Sequence, residues 1–442
     1  MKARLDRTVQ SAINAAMGQG FIIVGGGLMG VTSLYELAQR GHDAVLLETS
    51  DALGNGASHA NGGVLHPSLP DPWNNPGIGR ILLSALFNRH APIRMGLGEL
   101  PRLWRFGFEF IRYSSPAQHR ASTLANYALA AYSLAETQAL TQKLGLSYEQ
   151  ANLHHEAPTV KLFSTQKALA RGRHLADMLA AQGLAYEAWT PAELAAHEPA
   201  LAATAPSLAG ALAFPNDQIG NALLFLQQLA EAARAAGGDI RLNTQAVKLL
   251  RENGRVTGVQ LANGDRLTGT VILANGHAAP ALAKPCGLPL SIRPAKGYSI
   301  TLPNRTKNAP TGARLTHPLV DDARHIAMTP LGDKLRILGM AEFIGADTTL
   351  NAARLQILRQ FLTDLLPDMA AEVDWAKTDN WAGLRPMHSS GRPRIGASGM
   401  AGLWLNCGHG HLGWTMAVGS AKILADLIEG RVPAVAPAPF KP

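Results

Sequence analysis

Three glycines, Gly25, Gly27 and Gly30, follow a short apolar run in "FIIVGGGLMG" (21–30), and Glu48 ends "DAVLLE" eighteen residues after the last of them. That spacing suits a dinucleotide cradle. Gly25 allows a tight turn, Gly27 lets the backbone approach a pyrophosphate, and Gly30 lets helix and strand pack closely. A helix opening there turns free N–H groups and its positive dipole end toward phosphates. Glu48 suits a two-point hydrogen bond to a ribose diol. A glycine triplet alone is weak evidence, but strand, glycines, helix, strand and acid in register are strong.

A second loop of small residues, "GNGASHANGGVLHP" (54–67), follows the acid. A nicotinamide enzyme would normally run straight into its next helix here. Small residues let the backbone lie along a long, extended cofactor, with Ser58 and Asn61 offering polar contacts. Near the other end, "NCGHGHLGWT" (406–415) opens another helix. N–H groups at a helix start can stabilise negative charge on the pyrimidine side of a reduced flavin. The pair of loops argues for a resident flavin. His59 and His66 fall in the first loop and His409 in the second. The fifteen histidines are otherwise scattered, with no triad or metal-ligand spacing, so no metal is expected.

The elements that must position these residues are legible in outline. "FIIV" reads as a buried strand, "LMGVTSLYELAQRG" as a helix closed by Gly41, and "DAVLLE" as a second strand: one βαβ unit. Residues 96–200 carry helical spacing and no glycine fingerprint, so they read as inserted helices. A helix at 221–238, strands to 276, a mixed region at 290–375, and a final strand and helix from "GLWLNCG" onward complete the pattern.

The chain has 442 residues, 47% of them hydrophobic and 16% charged, enough for two packed domains and too apolar for disorder. Forty basic against 32 acidic residues give +8, but no block of like charges occurs, so a nucleic-acid partner is not expected. Two cysteines, Cys286 and Cys407, are too few for a disulfide framework and suit a reducing, cytoplasmic compartment. No stretch reaches the about 18 unbroken apolar residues of a membrane span. Leu5, Val9, Ile13 and Met17 recur four apart behind Lys2, Arg4 and Arg7. This reads as a surface helix, with a peripheral contact on the inner face of the cytoplasmic membrane as the sharper alternative.

Seven segments carry a further signal: "SHANGG" (58–63), "PWNNPG" (72–77), "RHAPI" (89–93), "RPAKGYS" (293–299), "GMAEF" (339–343), "WAGLRPMHSSGRPRIG" (381–396) and "NCGHGHLGWTMAVGSAKILADLI" (406–428). With the glycine fingerprint they resemble the D-amino acid oxidase superfamily of flavoproteins, most closely its bacterial D-amino acid dehydrogenase branch, from about residue 21 to 430. The resemblance implies FAD held by Gly25, Gly27, Gly30 and Glu48, with Ser58, His59, Asn61, Gly62 and Gly63 beside the pyrophosphate and ring. It also implies contacts from the Val247 backbone and Gly276, and a closing loop of Gly408, His409, Gly410, Gly413, Trp414 and Thr415. Arg385 of "GLRP" matches the position that holds the substrate carboxylate. A guanidinium suits that task, because its planar fork binds both oxygens. Tyr298 and His66 complete the expected catalytic set. Two departures from the pattern stand out: Thr49, where many relatives carry a basic residue, and His59, where an aromatic is common.

The fold so implied is α/β, a Rossmann-like FAD-binding domain interleaved with an α+β substrate domain of mixed antiparallel sheet plus helices. The expected division is an extension at 1–20, an FAD-binding part at 21–95, 200–284 and 378–442, and a substrate part at 96–199 and 285–377. The implied reaction is oxidative deamination of a D-amino acid, or a D-proline-type imino acid, by hydride transfer from Cα to the flavin. Electrons would pass to a quinone or another carrier. An oxygen-using oxidase on the same scaffold, a tRNA-modifying flavoenzyme and a non-catalytic flavoprotein subunit stay open as alternatives.

Overall fold

A computed structural model describes residues 20–79, 93–146, 158–304 and 314–442. The helix read in residues 1–20 lies outside the described residues except for Gly20, as does "RHAPI" up to Pro92.

Phe21–Val24 is buried along its whole length and pairs in parallel with Ala44–Leu47 on one side and Thr270–Leu273 on the other. These form the centre of a six-stranded sheet, completed by Asp239–Arg241 at one edge and by Leu403–Cys407 and Arg394–Ala397 at the other. Unbroken apolar runs suit strands covered on both faces. Phe21, Ile23, Leu46 and Ile272 face a core built with helices Leu28–Gln39, Ala222–Ala235 and Gly413–Ile428. Ile22, Val24, Leu47, Val271 and Leu273 face the opposite core, under the small antiparallel sheet of Ala246–Glu252, Arg255–Leu261 and Arg266–Thr268.

A second, nine-stranded sheet is built around the long strand Ile292–Pro303, which pairs antiparallel with both Lys334–Phe343 and Asp379–His388. Helix Ala352–Leu365 contributes Leu355, Leu358, Phe361 and Leu362 to the core beside it. This sheet also takes in Ile93–Met95, Gly210–Phe214 and Asp379–His388, segments that the sequence division assigned to the FAD-binding part. In the other direction, Pro116–Leu144, assigned to the substrate part, buries Leu129, Ala130 and Leu134 in the same core as Gly413–Ile428. Periodicity marks where an element lies, but not which sheet or helix it joins. Residues 96–200 carry strands Thr159–Phe163 and Glu187–Trp189 as well as the expected helices. Among the described residues no helix is long and apolar enough to cross a membrane.

The contact between these last two helices is unusually close. Pro116–Leu144 is well delimited, with Ser115 accepting from the Gln118 N–H, Pro116 at its start and Gly145 left-handed at its end. It crosses Gly413–Ile428 where Ser133 Oγ accepts from the Gly419 N–H at 2.9 Å. A Cβ on Gly419 would stand 2.6 Å from Ser133 Cβ. Helix propensity alone would favour Gly419→Ala by about 1 kcal/mol. Overpacking is expected to reverse the sign, for a net loss of about 1–3 kcal/mol in chemical unfolding. A Gly419→Ala protein as stable as the parent would show that the crossing has slack.

Candidate active site

Between the two sheets runs a cavity of about 2380 Å³, bounded by Gly25 and Gly27 and by Arg385. Small-molecule pockets are usually about 300–1000 Å³, so this one has room for an extended cofactor and a substrate together. At the cofactor end Gly25 has φ +112°, and a Cβ there would lie 2.7 Å from the Asn275 backbone. A Cβ on Gly30 would collide with the Gly25 carbonyl oxygen, so Gly30 serves close helix–strand packing as its spacing suggests. Helix Leu28–Gln39 starts at Gly27 with no side-chain cap and no acid in its first turn. Its Leu28 N–H leans on Ser58 Oγ at 3.3 Å. Glu48 is clamped at the strand end, its two oxygens accepting from the N–H groups of Gly26 (2.6 Å) and Ser50 (2.8 Å).

Helix Gly413–Ile428 also opens on the cavity without a side-chain cap or a first-turn acid. Two positive helix ends in one cavity suit a pyrophosphate and a reduced isoalloxazine. Among the described residues, Trp414 Nε1 and Asn275 Oδ1 are buried without a partner, on residues that line the same space. The donor set and the orphaned atoms fit a bound dinucleotide flavin.

Seventeen of the twenty residues expected in the site line this cavity: Gly25, Gly27, Glu48, Ser58, Asn61, Gly62, His66, Val247, Gly276, Tyr298, Arg385, Gly408, His409, Gly410, Gly413, Trp414 and Thr415. Gly30, Gly63 and His59 do not. Gly63, at φ +74°, is backed by Leu331 and Thr329, and the His59 ring sits 5.7 Å from that of Trp381. Among the described residues no group of three or more His, Cys, Asp or Glu could hold a metal ion.

Arg385 lines the same cavity. It stands on Asp379–His388 opposite Ala295, donates from Nη1 to the Met340 carbonyl at 2.9 Å, and lies 5.8 Å over the Trp73 ring. Among the described residues it has no carboxylate partner. Burial draws its pKa down to about 10, so it stays charged at neutral pH. Gly297 makes room for it, because a Cβ there would run into the guanidinium. The Met340 carbonyl is supplied by a bulge: Lys296 pairs with Glu342 and Tyr298 with Gly339, so Met340 and Ala341 both oppose Gly297. Met340 carries φ +68°, a strained conformation for a bulky residue.

Tyr298 turns its ring to the cavity but donates its hydroxyl to Glu342 Oε2 at 2.6 Å, so that proton is not offered to a ligand. Burial and the Glu342 bond both push the phenol up. Burial alone would raise Glu342, but the bonds from Tyr298 and from Arg354 Nε (2.9 Å) prevail and hold it below the usual carboxylate range. Lys296 faces away, toward Asp347 and the Thr349 carbonyl. His66 donates its backbone N–H to Thr415 Oγ1 at 3.1 Å, and its Nδ1 has no partner among the described residues. Its ring stacks 6.5 Å from His411, which stacks 5.6 Å from Trp73. His409 Nε2 meets Ser420 Oγ at 2.9 Å. Sequence reasoning did not single out Trp73, Gly297, Met340 or His411. Each lies in a segment that carries the family resemblance, and Gly297 had the further hint of a glycine inside a strand.

Burial lowers His66 and His411 to about 4 and His409 to about 3, against about 6.5 in an unfolded chain. Between those values the unfolded chain binds more protons. Stability is therefore full above about 6.5 and falls as pH drops toward 4. Asp217 acts oppositely: burial, against bonds from Ser68, lifts it to about 7, so the native state gains as pH falls. Three histidines outweigh one carboxyl, with a discount because His66 and His411 face the cavity. Unfolding free energy is expected to be lower at about pH 5 than at about pH 7, by on the order of 2 kcal/mol. Equal or greater stability in acid would refute the neutral-histidine assignment.

The comparisons with known proteins agree with this geometry. The profile of the DAO family, FAD dependent oxidoreductase, matches residues 21–427. The chain is 37% identical over 416 residues to a D-amino acid dehydrogenase of Methylobacterium sp. (strain 4-46), covering 94% of this chain and 96% of that one. Its fold is similar to that of glycine oxidase from Geobacillus kaustophilus, at TM-score 0.73 and 24% identity over 96% of this chain and 97% of that one. L-proline dehydrogenase from P. horikoshii has the same TM-score at 16% identity, over 96% of each chain. The chain belongs to the DAO family of FAD-dependent oxidoreductases.

Proposed function

We propose that the protein oxidises a D-amino acid, or a small cyclic imino acid of the D-proline type, at Cα, and passes the electrons to a quinone or another carrier. The observation that carries this reading is Arg385, a charged and unpaired guanidinium in the cavity that suits the flavin. The name of the relative at 37% identity supports the substrate class. FAD, when bound, supplies the hydride acceptor. Cα loses a hydrogen with its electron pair, the nitrogen loses a proton, and a C=N bond forms. A primary imine then hydrolyses to a 2-oxo acid and ammonia.

The protein's part is alignment and electrostatics. Arg385 spends one N–H on Met340 and keeps the rest of its fork for the carboxylate oxygens. Trp73 beneath it limits rotation of the guanidinium plane. Tyr298, fixed through Glu342, forms a wall and excludes water. His66 and His411, both uncharged at neutral pH, add no positive charge to the cavity that holds Arg385. The loop from Gly408 to Thr415 closes the cofactor side.

Anaerobic bleaching of the bound flavin by a panel of D- and L-amino acids, prolines and N-methyl amines tests the substrate class whatever the acceptor. Bleaching by N-methyl amines alone would overturn the reading. Turnover with an artificial quinone, compared with turnover in air, tests the acceptor. Arg385→Ala is expected to retain FAD and lose about 3–5 kcal/mol in kcat/KM, as for one side of a desolvated ion pair, with Arg385→Lys recovering part. Gly297→Ala, which displaces the guanidinium without removing it, is expected to raise KM with flavin content intact. Unchanged kinetics in Arg385→Ala would sink the carboxylate assignment.

A further inference from the structure

We propose that Arg336 is a positioning residue for the flavin: with Thr329 it turns two successive carbonyls of the small-residue loop outward, so that the loop offers N–H groups to the cofactor. Strand Lys334–Phe343 pairs with Ile292–Pro303 on one side and with Ile326–Leu331 on the other. Arg336 stands opposite Thr301 in the first and Thr329 in the second, which puts the three side chains on one face of the sheet. Arg336 Nε donates to Thr301 Oγ1 at 3.1 Å, and its Nη1 donates to the Asn61 carbonyl at 2.8 Å. Thr329 Oγ1 donates to the Gly62 carbonyl at 2.7 Å. The next carbonyl, of Gly63, accepts from the Gly220 N–H at 2.7 Å.

Three consecutive carbonyls are thus taken by residues that do not line the cavity. Asn61 Oδ1 accepts from the Gly63 N–H at 3.1 Å and tightens the turn. Among the described residues, the N–H groups of Ala60, Asn61 and Gly62 have no partner, and all three residues line the cavity. A run of free backbone N–H groups is a receptor for negative charge. Without the two side chains the peptide planes would be free to rotate and set carbonyl oxygens toward the cofactor instead.

A neutral amide could donate the same bonds. Arg336 brings a charge as well, and among the described residues no carboxylate lies within ion-pair distance of it. Burial lowers its pKa, against a weaker pull from Asp379, but a guanidinium stays charged. That charge sits one peptide layer behind the loop, where it favours the negative charge a flavin gains on reduction. The same strand carries the Met340 carbonyl that meets Arg385, four residues and roughly 13 Å further along. One strand therefore sets both the cofactor loop and the guanidinium clamp. The inference rests on the family's FAD and not on the substrate reading, since both of its readouts are taken without substrate.

The test uses the flavin-loaded full chain. Arg336→Met removes the bonds and the charge. It is expected to raise the FAD dissociation constant about tenfold, read from flavin fluorescence on dilution. It is also expected to lower the midpoint potential of the bound flavin, read by equilibration with redox dyes. Arg336→Lys keeps the charge without the fork and is expected to recover the potential more than the affinity. Thr329→Val, which loses the hydroxyl, is expected to release FAD more readily than Thr329→Ser, which keeps it. A parental dissociation constant and potential in Arg336→Met would overturn the proposal. So would lower unfolding stability with both readouts unchanged, the behaviour of a merely structural anchor. Should Arg336→Met not fold, equal FAD release from Thr329→Val and Thr329→Ser would overturn it on the same grounds.

Discussion

A guanidinium with no carboxylate partner among the described residues is the constraint around which Met340, Trp73 and Gly297 are arranged. Desolvating a cation is costly, and two modest interactions offset part of that cost for Arg385. A charge-assisted hydrogen bond to a carbonyl contributes about 1.5–3 kcal/mol, and a cation–π contact about 0.5–2 kcal/mol. The Met340 carbonyl and the Trp73 ring are those two groups. A carboxylate about 4 Å away at an effective dielectric near 20 would add about 4 kcal/mol, more than either. The native chain leaves the larger interaction unmade. On the proposed reading a substrate carboxylate would make it, so that the binding energy falls where Cα must be aligned.

The geometry that sustains this is strained and tightly fitted. Met340 holds a positive φ inside a bulge so that its carbonyl points at Arg385, and Gly297 across the bulge has no side chain to block the guanidinium. Glu342, two residues beyond Met340, is tied to Tyr298 and Arg354, which anchors the strand on both sides of the distortion. The strain is thus held by a buried polar network, a recurrent arrangement at ligand clamps. At the cofactor end the logic is reversed. Two uncapped helix starts present positive potential, and the carboxylate of Glu48 is held by two backbone N–H groups at the strand end. The cavity therefore has fixed receptors for negative charge at both ends, with uncharged imidazoles between them.

How much of this could be read in the chain follows from the range of each interaction. The fingerprint around Gly25, Gly27, Gly30 and Glu48 is mostly local to one βαβ unit, with Asn275 from a distant segment crowding Gly25. It was legible from spacing alone. Arg385 was legible only through resemblance, because nothing near it in sequence reveals that Met340 and Trp73, from two distant segments, will meet its guanidinium. The same limit applies to Pro116–Leu144. Its periodicity announces a helix, but its attachment to Gly413–Ile428 depends on one small residue, Gly419, meeting another, Ser133. His59 shows the converse: it belongs to the same loop, but its ring turns toward Trp381. Loop membership does not fix side-chain direction.

The outer helix Leu100–Arg112 and the clamp are mechanically connected. Leu103, Phe106 and Phe110 pack in one cluster with Ile78, Ala295 and Met387, and Trp73 and Ile93 lie against that cluster. Ala295 is the residue opposite Arg385, and Trp73 is the ring beneath it. Interiors packed at crystal-like density transmit small displacements instead of absorbing them. A shift of Leu100–Arg112 toward or away from the body would therefore be felt first by the groups that orient the guanidinium, one layer in. The outer helix and the arginine clamp therefore share a wall.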